Sequence, residues 1–576
     1  MLLPLLVAQI VVTPGPINTV SIDGAALITS VRRDLLPPGP VIVAEADARR
    51  ITDAAKFWSL FRQTRFHDYA QISTRVPIAP QPIKRTVKGG DVFSGVEVID
   101  TPGPTATSVS YLFTRQGKRH AFTGDLIYKD GKLLDVYSLQ DAIPETKTRG
   151  YHGFAARAGQ LIESLRKINA AKPDVLIPSR GPFVTDPAKD IDALIARLQK
   201  LLQSHFATDA LRWYWGEESW QTRGKLAMTK LPESPMEMSA QRDLPEWIIP
   251  IGNSRLVVST TGAAFLMDAG YPQIIEKLDE LKAQGRFRNL EGIWVTHYHD
   301  DHTDHVAKVA KRHNARVYFN DSIKDIVERP ANYRMPCLTT NPISGEAMRK
   351  EQSWQWREFK LTSLFFPGQT LYHGGLALDR EDGSKILFVG DSFTPSGTDD
   401  YCLQNRNLVH ANQGYRYCLD VIEQLGGNYW LINQHVLPMF KFDEARIDRM
   451  RSELTIRERV LADLTILPDA NYAVDEGWAR FYPYSVKAAK SQTAAIELRL
   501  ENHTGERQTL RVKWNVPRGW RLEKSQSLAD VAPRSQAVLT ATLRAVDPDE
   551  VAVLTADIQF AGYDLRAFTE AILEHE

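Results

Sequence analysis

Short apolar runs alternate with helical stretches in the middle of the chain. In one such stretch Ile274, Ile275, Leu278 and Leu281 recur at helical spacing and therefore share one face. The predicted order is strand, helix, strand, helix and strand, over Arg255–Met267, residues 274–281, Gly292–Thr296, about Thr303–His313 and Ala315–Phe319. This order is typical of an α/β domain.

The first part of the chain has a similar α/β rhythm. Its predicted strands include Val96–Asp100 and Ser108–Phe113, and its predicted helices include Ala155–Ile168 and Asp190–Leu202. A polar stretch rich in Trp and Met follows from about residue 205 to residue 243. We interpret that stretch as a connector whose tryptophans, Trp213, Trp215 and Trp220, pack on neighbouring structure.

A period of two replaces this rhythm near the C-terminus. Ile496, Leu498 and Leu500 alternate with charged residues, and the same alternation returns from Leu510 to Trp514. Alternation with turn residues between the runs indicates a half-exposed antiparallel sheet. We therefore predict a small β-sandwich of the immunoglobulin-like kind.

Length sets the number of domains. The chain has 576 residues, whereas one domain usually has about 100–150. The patterns predict a first α/β domain over residues 1–204, a connector over 205–243, a second α/β domain over 244–483 and a β-sandwich over 484–576.

Charge and cysteine content exclude several classes. The formal net charge is zero, with 70 basic and 70 acidic residues, so a nucleic-acid partner is not expected. The cysteines Cys337, Cys402 and Cys418 form no C-x-x-C pair and are too few for a disulfide framework. The apolar N-terminal stretch Met1–Val12 is too short for a membrane span and lacks the positive start of a signal peptide. A cytoplasmic and an exported location both stay open.

The strongest chemical signal directly follows a predicted strand. The residues Thr296-His297-Tyr298-His299-Asp300-Asp301-His302 form an H-x-H-x-D-H pattern. Imidazole nitrogen suits Zn²⁺ and related ions, and a carboxylate adds a hard oxygen ligand. Folding alone gives little reason to crowd such costly side chains at a strand end. The pattern therefore predicts a metal site.

Further landmarks follow in order along the chain. His373 stands in Phe366-Pro-Gly-Gln-Thr-Leu-Tyr-His373, Asp391 ends the strand-like Ile386-Leu-Phe-Val-Gly-Asp391, and His435 ends Trp430-Leu-Ile-Asn-Gln-His435. Together with Asp268-Ala-Gly270, these segments resemble the metallo-β-lactamase superfamily, which includes glyoxalase II and lactonases. The resemblance implies an αββα sandwich and a metal-dependent hydrolase.

The resemblance also implies a ligand set for two metal ions. One ion would be held by His297, His299 and His373, the other by Asp301, His302 and His435, with Asp391 between them. Two Zn²⁺ per chain are expected, with iron or manganese as alternatives. A hydroxide shared by the two ions would be the nucleophile. Asp301 is the candidate catalytic residue, and Asp268 would support the ligands from behind.

Other polar residues near these motifs have two interpretations. His305 and His313 are interpreted as surface or supporting groups. His410 either lines the pocket or is an ordinary loop histidine. Tyr372, Asn433 and Tyr415 either contact substrate or pack within the fold.

The first domain contains the same landmarks in degenerate form. Thr29-Ser30-Val-Arg32-Arg-Asp34-Leu35 can be laid on the histidine block, with Ser30, Arg32 and Leu35 in the histidine positions. Pro104 and Arg180 replace the later histidines, so only Asp34 and Asp125 of the ligand set remain. Proline and leucine side chains cannot ligate, and arginine repels a cation. We predict a metal-free copy that shapes the second site or forms a homodimer contact; the alternative is an unrelated α/β domain.

The expected function is hydrolysis of an ester, thioester, lactone or lactam-type bond in a small molecule, as in a bacterial hydrolase. One alternative is a mononuclear iron oxygenase of the same fold. Another is a non-catalytic binding or scaffold protein with a structural metal. The number and kind of metal ions separate the three.

Overall fold

The computed structural model describes residues 9–31, 36–57, 81–140, 157–227, 231–400 and 406–575. Contacts divide the chain into two compact units. One contains Met1–Leu202, Arg223–Leu231 and Arg459–Glu576, and the other contains Gln203–Thr222 and Pro232–Glu458. The predicted metal constellation lies entirely in the second of these units.

The first α/β block contains two sheets. One has the order β1-β2-β3-β4-β5, and the other has the order β10-β9-β8-β7-β6. The strands are β1 Ile10–Thr13, β2 Thr19–Ile22, β3 Ala25–Leu27, β4 Val41–Ala44, β5 Ile83–Val87, β6 Val92–Phe93, β7 Val96–Asp100, β8 Val109–Arg115, β9 Lys118–Gly124 and β10 Val175–Pro178. The α-helices are α1 Ala48–Thr52, α2 Arg157–Ala170 and α3 Pro187–Ala207.

The second α/β block also has two main sheets. Their orders are β12-β13-β14-β15-β16-β17 and β11-β25-β24-β21-β20-β19-β18. The strands are β11 Ala240–Arg242, β12 Ile248–Ile251, β13 Ser254–Val258, β14 Ala263–Met267, β15 Asn289–Val295, β16 Arg316–Asn320, β17 Glu346–Met348, β18 Ser353–Trp356, β19 Phe359–Phe365, β20 Gly374–Arg380, β21 Lys385–Phe388, the short hairpin β22 Phe393–Thr394 and β23 Gly397–Thr398, β24 Trp430–Ile432 and β25 Met439–Lys441. The α-helices are α4 Leu211–Ala227, α5 Ile274–Ala283, α6 Asp300–Thr303, α7 Val306–His313, α8 Lys324–Glu328, α9 Gly414–Gln424 and α10 Glu444–Leu464.

Buried side chains arrange this block in four layers. A core of residues such as Phe265, Trp294 and Phe388 lies between the two sheets. On the outer side of the first sheet, a second core joins it to α5 and α7. On the outer side of the other sheet, a third core joins it to α9 and α10. The predicted αββα sandwich is confirmed, because each sheet is apolar on both faces.

The first block repeats the strand pairing of the second. In the first block, β6, β7, β8 and β9 form consecutive antiparallel pairs, and β9 then pairs in parallel with β10. In the second block, β18, β19, β20 and β21 form consecutive antiparallel pairs, and β21 then pairs in parallel with β24. Strands β3, β4 and β5 are parallel neighbours, as are β15, β16 and β17. A 3₁₀ turn and a short helix follow both β4 and β16. The predicted duplication of the fold is therefore confirmed.

The C-terminal block is an antiparallel-rich β-sandwich. Its sheets have the orders β26-β28-β32-β30 and β27-β34-β33-β29-β31. The strands are β26 Ala479–Tyr482, β27 Ser485–Ala488, β28 Thr493–Asn502, β29 Gln508–Asn515, β30 Trp520–Ser525, β31 Leu528–Val531, β32 Ser535–Ala545, β33 Val551–Phe560 and β34 Tyr563–His575. Ile496, Leu498 and Leu500 are buried in the core between the sheets, as their alternation predicts.

Much of the segment predicted as a connector is helical. Helix α3 continues to Ala207, and α4 begins at Leu211 and is interrupted at Gly216, which has a positive φ of 74°. Trp220 is buried, in agreement with the expectation that this tryptophan packs on neighbouring structure. The exact domain boundaries stay a prediction. Within the described residues, no helix combines the length and the apolar character that crossing a membrane requires.

A buried amide holds the turn after β28 and gives a test of the sandwich. The Asn502 side chain donates to the carbonyl oxygens of Glu506, Val531 and Ala532, and its oxygen accepts from Thr504. Asn502→Ala leaves these buried groups unpaired, so we expect a loss of about 3 kcal/mol. Hydrogen exchange of the β28 amides in the intact chain should become roughly 100-fold faster. The exposed-side-chain control Gln536→Ala should change it little; equal exchange in both variants would contradict this role of Asn502.

Candidate metal centre

The histidine block begins where β15 ends. His297 lies beside His373 in an isolated antiparallel bridge, and His299 precedes the short helix α6. Asp301 and His302 lie on α6, so all four predicted ligands of the block leave the sheet at one edge. His297 and His302 are fully buried and His299 nearly so.

The remaining ligands come from three strands of the other sheet. His373 immediately precedes β20, Asp391 follows β21, and His435 follows β24. Since β21 and β24 are parallel neighbours, the loops at their carboxyl ends meet at the same edge. Asp391 Oδ2 consequently lies 3.2 Å from His435 Nε2.

Four of the side chains converge on a common point. His302 Nε2 lies 3.1 Å from Asp391 Oδ2, 3.2 Å from His435 Nε2 and 3.5 Å from Asp301 Oδ2. His435 Nε2 is also 3.1 Å from Asp301 Oδ2. Ligand atoms about 2.0–2.2 Å from a tetrahedral zinc ion lie roughly 3.3–3.6 Å from one another. The spacing therefore fits a metal ion.

A second group overlaps the first. His297, His302 and Asp391 place one ligand atom each within 4.8 Å of one another. His299 Nδ1 lies 3.0 Å from His297 Nε2, and the His373 ring stacks on His297 with 4.9 Å between ring centroids. The structure thus brings together all of the ligands predicted from the sequence, although His299 and His373 lie outside the two tight groups.

Two buried atoms in this cluster have no hydrogen-bond partner. They are Nδ1 of His373 and Oδ1 of Asp391. Leaving such atoms unpaired costs free energy, and each is of the kind that binds zinc. The donor set and these unpaired atoms both fit divalent metal ions.

Asp268 orients the block from below. Its carboxylate accepts hydrogen bonds from the Thr296 amide and hydroxyl, each at 2.8 Å, and lies 2.9 Å from His302 Nδ1. The Nδ1 proton of His302 is therefore directed to Asp268, and Nε2 faces the cluster. Gly270 lies so close below α6 that a Cβ there would overlap the Asp301 backbone. The supporting role of the Asp268-Ala-Gly270 turn stays a prediction, which these contacts support.

Attraction between carboxylates and imidazoles determines the pKa values of several groups in the cluster. Burial disfavours the ion at Asp391, but His302 and His435 outweigh it and hold the pKa of Asp391 well below its usual range. Burial likewise opposes the charge on His435, yet Asp391 and Asp301 raise the pKa of His435 to about 10. Burial and the neighbouring His302 charge lower the pKa of His297. The carboxylates thus attract positive charge, and a metal ion bound here would replace the protons held by His302 and His435, whereas His297 is already neutral.

Glycine permits the tight turn that carries Asp391. Gly390 has a φ of +53°, and a Cβ there would lie 2.3 Å from His373 Nε2 and 3.1 Å from Thr296 Oγ1. Any larger residue would push His373 away from the cluster. The Gly-Asp pair noticed in the sequence therefore has a steric reason.

Other residues named from the sequence have structural contacts. His305 Nδ1 lies 3.2 Å from the Gly270 carbonyl, and His410 Nδ1 lies 2.7 Å from Glu458. His313 packs near Phe287. Tyr415 donates to the Asp399 carbonyl, and Tyr372 packs against Tyr298 and Tyr333. None of them belongs to the tight ligand groups among the described residues.

Sequence reasoning missed two residues at this centre. Arg255 is fully buried on β13, and its guanidinium donates to the carbonyl oxygens of Asn433 and Val436, which flank His435. A charged residue within an apolar strand was a usable signal. Tyr214 on α4 packs the edge of its ring against His435, with 6.5 Å between centroids. Nothing in the local sequence of Tyr214 indicated this contact.

The first copy can be compared with this centre by its hydrogen bonds. Val109 donates to the Thr29 carbonyl as Gly374 donates to that of Thr296. Ser179 donates to Gly124 as Gln434 donates to Gly390. These matches support the sequence alignment, in which Asp125 and Arg180 correspond to Asp391 and His435.

The same comparison corrects one position. Since Val109 corresponds to Gly374, Ser108 rather than Pro104 occupies the place of His373. The sequence alignment chose Pro104 because it directly follows Pro102-Gly103, whereas in the second copy His373 lies five positions beyond Gly368 of the corresponding Pro367-Gly368 pair. Arg32, Asp34 and Leu35 lie outside the described residues.

An arginine stands at the first copy's would-be metal site. Arg180 Nη1 lies 3.4 Å from Asp125 Oδ1, and Tyr128 and Ser179 also donate to this carboxylate. All are buried. Within the described part of the first copy, no metal-ligating group of three side chains occurs. The chain itself supplies the positive charge there.

One family model matches part of the first α/β block. Residues 33–180 match the family model of the metallo-beta-lactamase superfamily. The resemblance to this superfamily, which consists mostly of metal-dependent hydrolases, is thereby confirmed over these residues. The match falls on the degenerate copy, whereas the second block carries the intact constellation. No curated protein gives a match.

Solved metallo-β-lactamases are similar to part of the chain. An enzyme of Cronobacter sakazakii with an HARLDQ motif is 16% identical over 38% of this chain and 98% of its own, with a TM-score of 0.29. BJP-1 of Bradyrhizobium japonicum is 17% identical over 38% and 90%, with a TM-score of 0.25. MIM-1 of Novosphingobium pentaromativorans is 14% identical over 36% and 84%, with a TM-score of 0.27.

Removal of the supporting carboxylate tests the geometry of the centre. Asp268→Ala frees the His302 ring and its tautomer, so the affinity for Zn²⁺ should fall about 10–100-fold. Competition with a chromophoric chelator measures this affinity. Asp279→Ala, which removes an exposed aspartate paired with Arg312, is the matched control and should leave it unchanged. An unchanged affinity in Asp268→Ala would show that Asp268 does not orient a ligand.

Proposed function

We propose that the second α/β block is a metal-dependent hydrolase with a dinuclear zinc centre. The observation that carries the proposal is the convergence of Asp301, His302, Asp391 and His435, with ligand-atom separations of 3.1–3.5 Å. A closed structural zinc site has four ligands and no more. Here His297 adjoins His302 and also contacts the rings of His299 and His373, which favours a second ion.

The two ions are assigned to the ligands as the family resemblance implies. Asp301, His302 and His435 would hold one ion, and the short distances among them support this set. His297, His299 and His373 would hold the other, supported by the ring contacts of His297 with His299 and with His373. Asp391 would lie between the ions, since its Oδ2 is 4.0 Å from His297 Nε2 and 3.1 Å from His302 Nε2.

Bound divalent ions would acidify a water to give a nucleophile near neutral pH and polarise the scissile carbonyl. The chain's own groups position the reaction. Asp301 is the most exposed carboxylate of the cluster, with 44% of its side chain accessible, so it can meet solvent and substrate. Asn253 Nδ2 donates to its Oδ2 at 3.3 Å and fixes its orientation. Asp301 would orient the water or accept a proton from it.

The expected substrate is a small molecule with a carboxylic ester, thioester, lactone or lactam-type bond. The neutral net charge gives no reason to expect a nucleic acid. The fold alone serves many chemistries, so the bond class must come from assay.

Metal analysis with activity assays tests the function. The purified chain should hold about two zinc ions, and His297→Ala/His299→Ala should lose both most of the metal and any activity on a panel of ester, thioester, lactone, β-lactam and phosphodiester substrates. The control His120→Ala/His313→Ala removes two histidines outside the cluster and should retain both properties. A single iron ion per chain would contradict the hydrolase and favour an oxygenase. If the chain binds no metal even after zinc is supplied, it is a binding protein instead.

Asp301 is tested with an isosteric change. Asp301→Asn keeps the shape but removes the carboxylate's charge and basicity, so kcat should fall about 100-fold or more on the best panel substrate, with a smaller change in KM. The neighbouring variant Asp300→Asn is the control and should stay within a few-fold of the unchanged protein. If the two variants behave alike, Asp301 has no special part in the reaction.

A further inference from the structure

Helix α4 carries a tyrosine that connects the two loops holding the last predicted ligands. The segment just before α4 is fixed to β23, because Ala210 donates to the Thr398 carbonyl and Thr398 donates to the Thr208 carbonyl, at 2.9 and 2.7 Å. These backbone hydrogen bonds place the first turn of α4 beside the residue that follows β23, Asp399. The backbone that leads into Tyr214 is therefore held by main-chain contacts in which its side chain takes no part.

The Tyr214 hydroxyl makes a hydrogen bond in each of two directions. It donates to Asp399 Oδ2 at 2.9 Å, and it accepts from Asn433 Nδ2 at 3.3 Å. Asp399 follows the β22–β23 hairpin and lies beside the loop that carries Asp391, since the Asp399 amide donates to the Ser392 carbonyl at 3.0 Å. Asn433 belongs to the loop that carries His435.

Asn433 transmits this contact to the ligand. Its Oδ1 accepts from the His435 amide at 2.6 Å, which closes a turn from residue 433 to residue 435. Its Nδ2 also donates to the Phe393 carbonyl at 2.8 Å, so the amide spans both loops. Asn433 is fully buried, and its orientation therefore depends on these partners.

We infer that Tyr214 is a positioning residue for the metal centre: its hydroxyl sets the separation between the Asp391 loop and the His435 loop. This rests on the proposed dinuclear site. Asp391 and His435 would both bind the ion that Asp301 and His302 hold. A looser spacing between their loops therefore weakens the binding of that ion more than the binding of the ion held by His297, His299 and His373. The stretch predicted as a connector thus becomes part of the site.

Tyr214→Phe isolates the hydroxyl, because the ring and its packing against His435 remain. Titration of the metal-free full-length protein with Zn²⁺ against a chromophoric chelator gives two dissociation constants. We expect one to rise about 10–100-fold and the other to change less than threefold. The melting temperature of the metal-free protein should shift by no more than about 2 °C.

Tyr429→Phe is a matched control. Its hydroxyl donates to Asp379 Oδ1 at 2.7 Å, which is also a tyrosine–aspartate pair, but Tyr429 precedes β24 while the ligands follow it. Both dissociation constants should remain unchanged in this variant. Asn433→Ala should weaken the same ion as Tyr214→Phe, and the double variant should be little worse than Asn433→Ala alone, because the hydroxyl acts through that amide.

The possible failures are distinguishable. An unmodified chain that binds no metal contradicts the proposed function before any variant is compared. Two metal ions with unchanged constants in Tyr214→Phe overturn the positioning role. Equally weaker binding of both ions, together with a lower melting temperature of the metal-free variant, shows that Tyr214 has a general structural role. That result overturns the positioning role as well.

Discussion

The second block depends on the attraction between two carboxylates and the imidazoles that face them. Asp391 and His302 are almost completely buried, and Asp301 and His435 complete the cluster within 3.5 Å. Such groups are costly to remove from water unless opposite charge and hydrogen bonds compensate. Asp268, Arg255 and Gly390 serve this cluster by orienting a ring, holding the His435 loop and permitting a tight turn. A bound cation would satisfy the atoms that these contacts leave unpaired.

The two copies of the α/β fold differ in the positively charged group that lies beside their buried aspartate. Strand pairing and backbone hydrogen bonds repeat between them, and Asp125 occupies the place of Asp391. In the first copy the buried guanidinium of Arg180 lies beside this carboxylate, whereas in the second copy His435 does. Arginine remains charged at any physiological pH and cannot ligate a metal. Within the described residues of the first copy, Arg180 thus places a permanent positive charge beside the buried Asp125.

Local patterns predicted the elements because secondary structure depends on neighbours in the sequence, whereas the set of candidate ligands was implied by the resemblance to a known family. Strand Val96–Asp100 and the buried face of Ile496, Leu498 and Leu500 follow from residue periodicity. The candidate ligands of the His297–His302 block could be expected to share one point because they follow a single apolar strand, and the resemblance added His373, Asp391 and His435. Tyr214 could not be predicted, since its partners Asp399 and Asn433 lie 185 and 219 residues away. The Pro104 position was wrong because a motif, rather than strand register, determined it.

Anomalous diffraction at the zinc edge from crystals of the zinc-loaded full chain tests the dinuclear centre most directly. Two peaks about 3.5–4 Å apart are expected, one of them bound by Asp301, His302 and His435 and both adjoining Asp391, with no peak beside Asp125. A single peak enclosed by four protein ligands, or no peak in the second block, would contradict a dinuclear hydrolase.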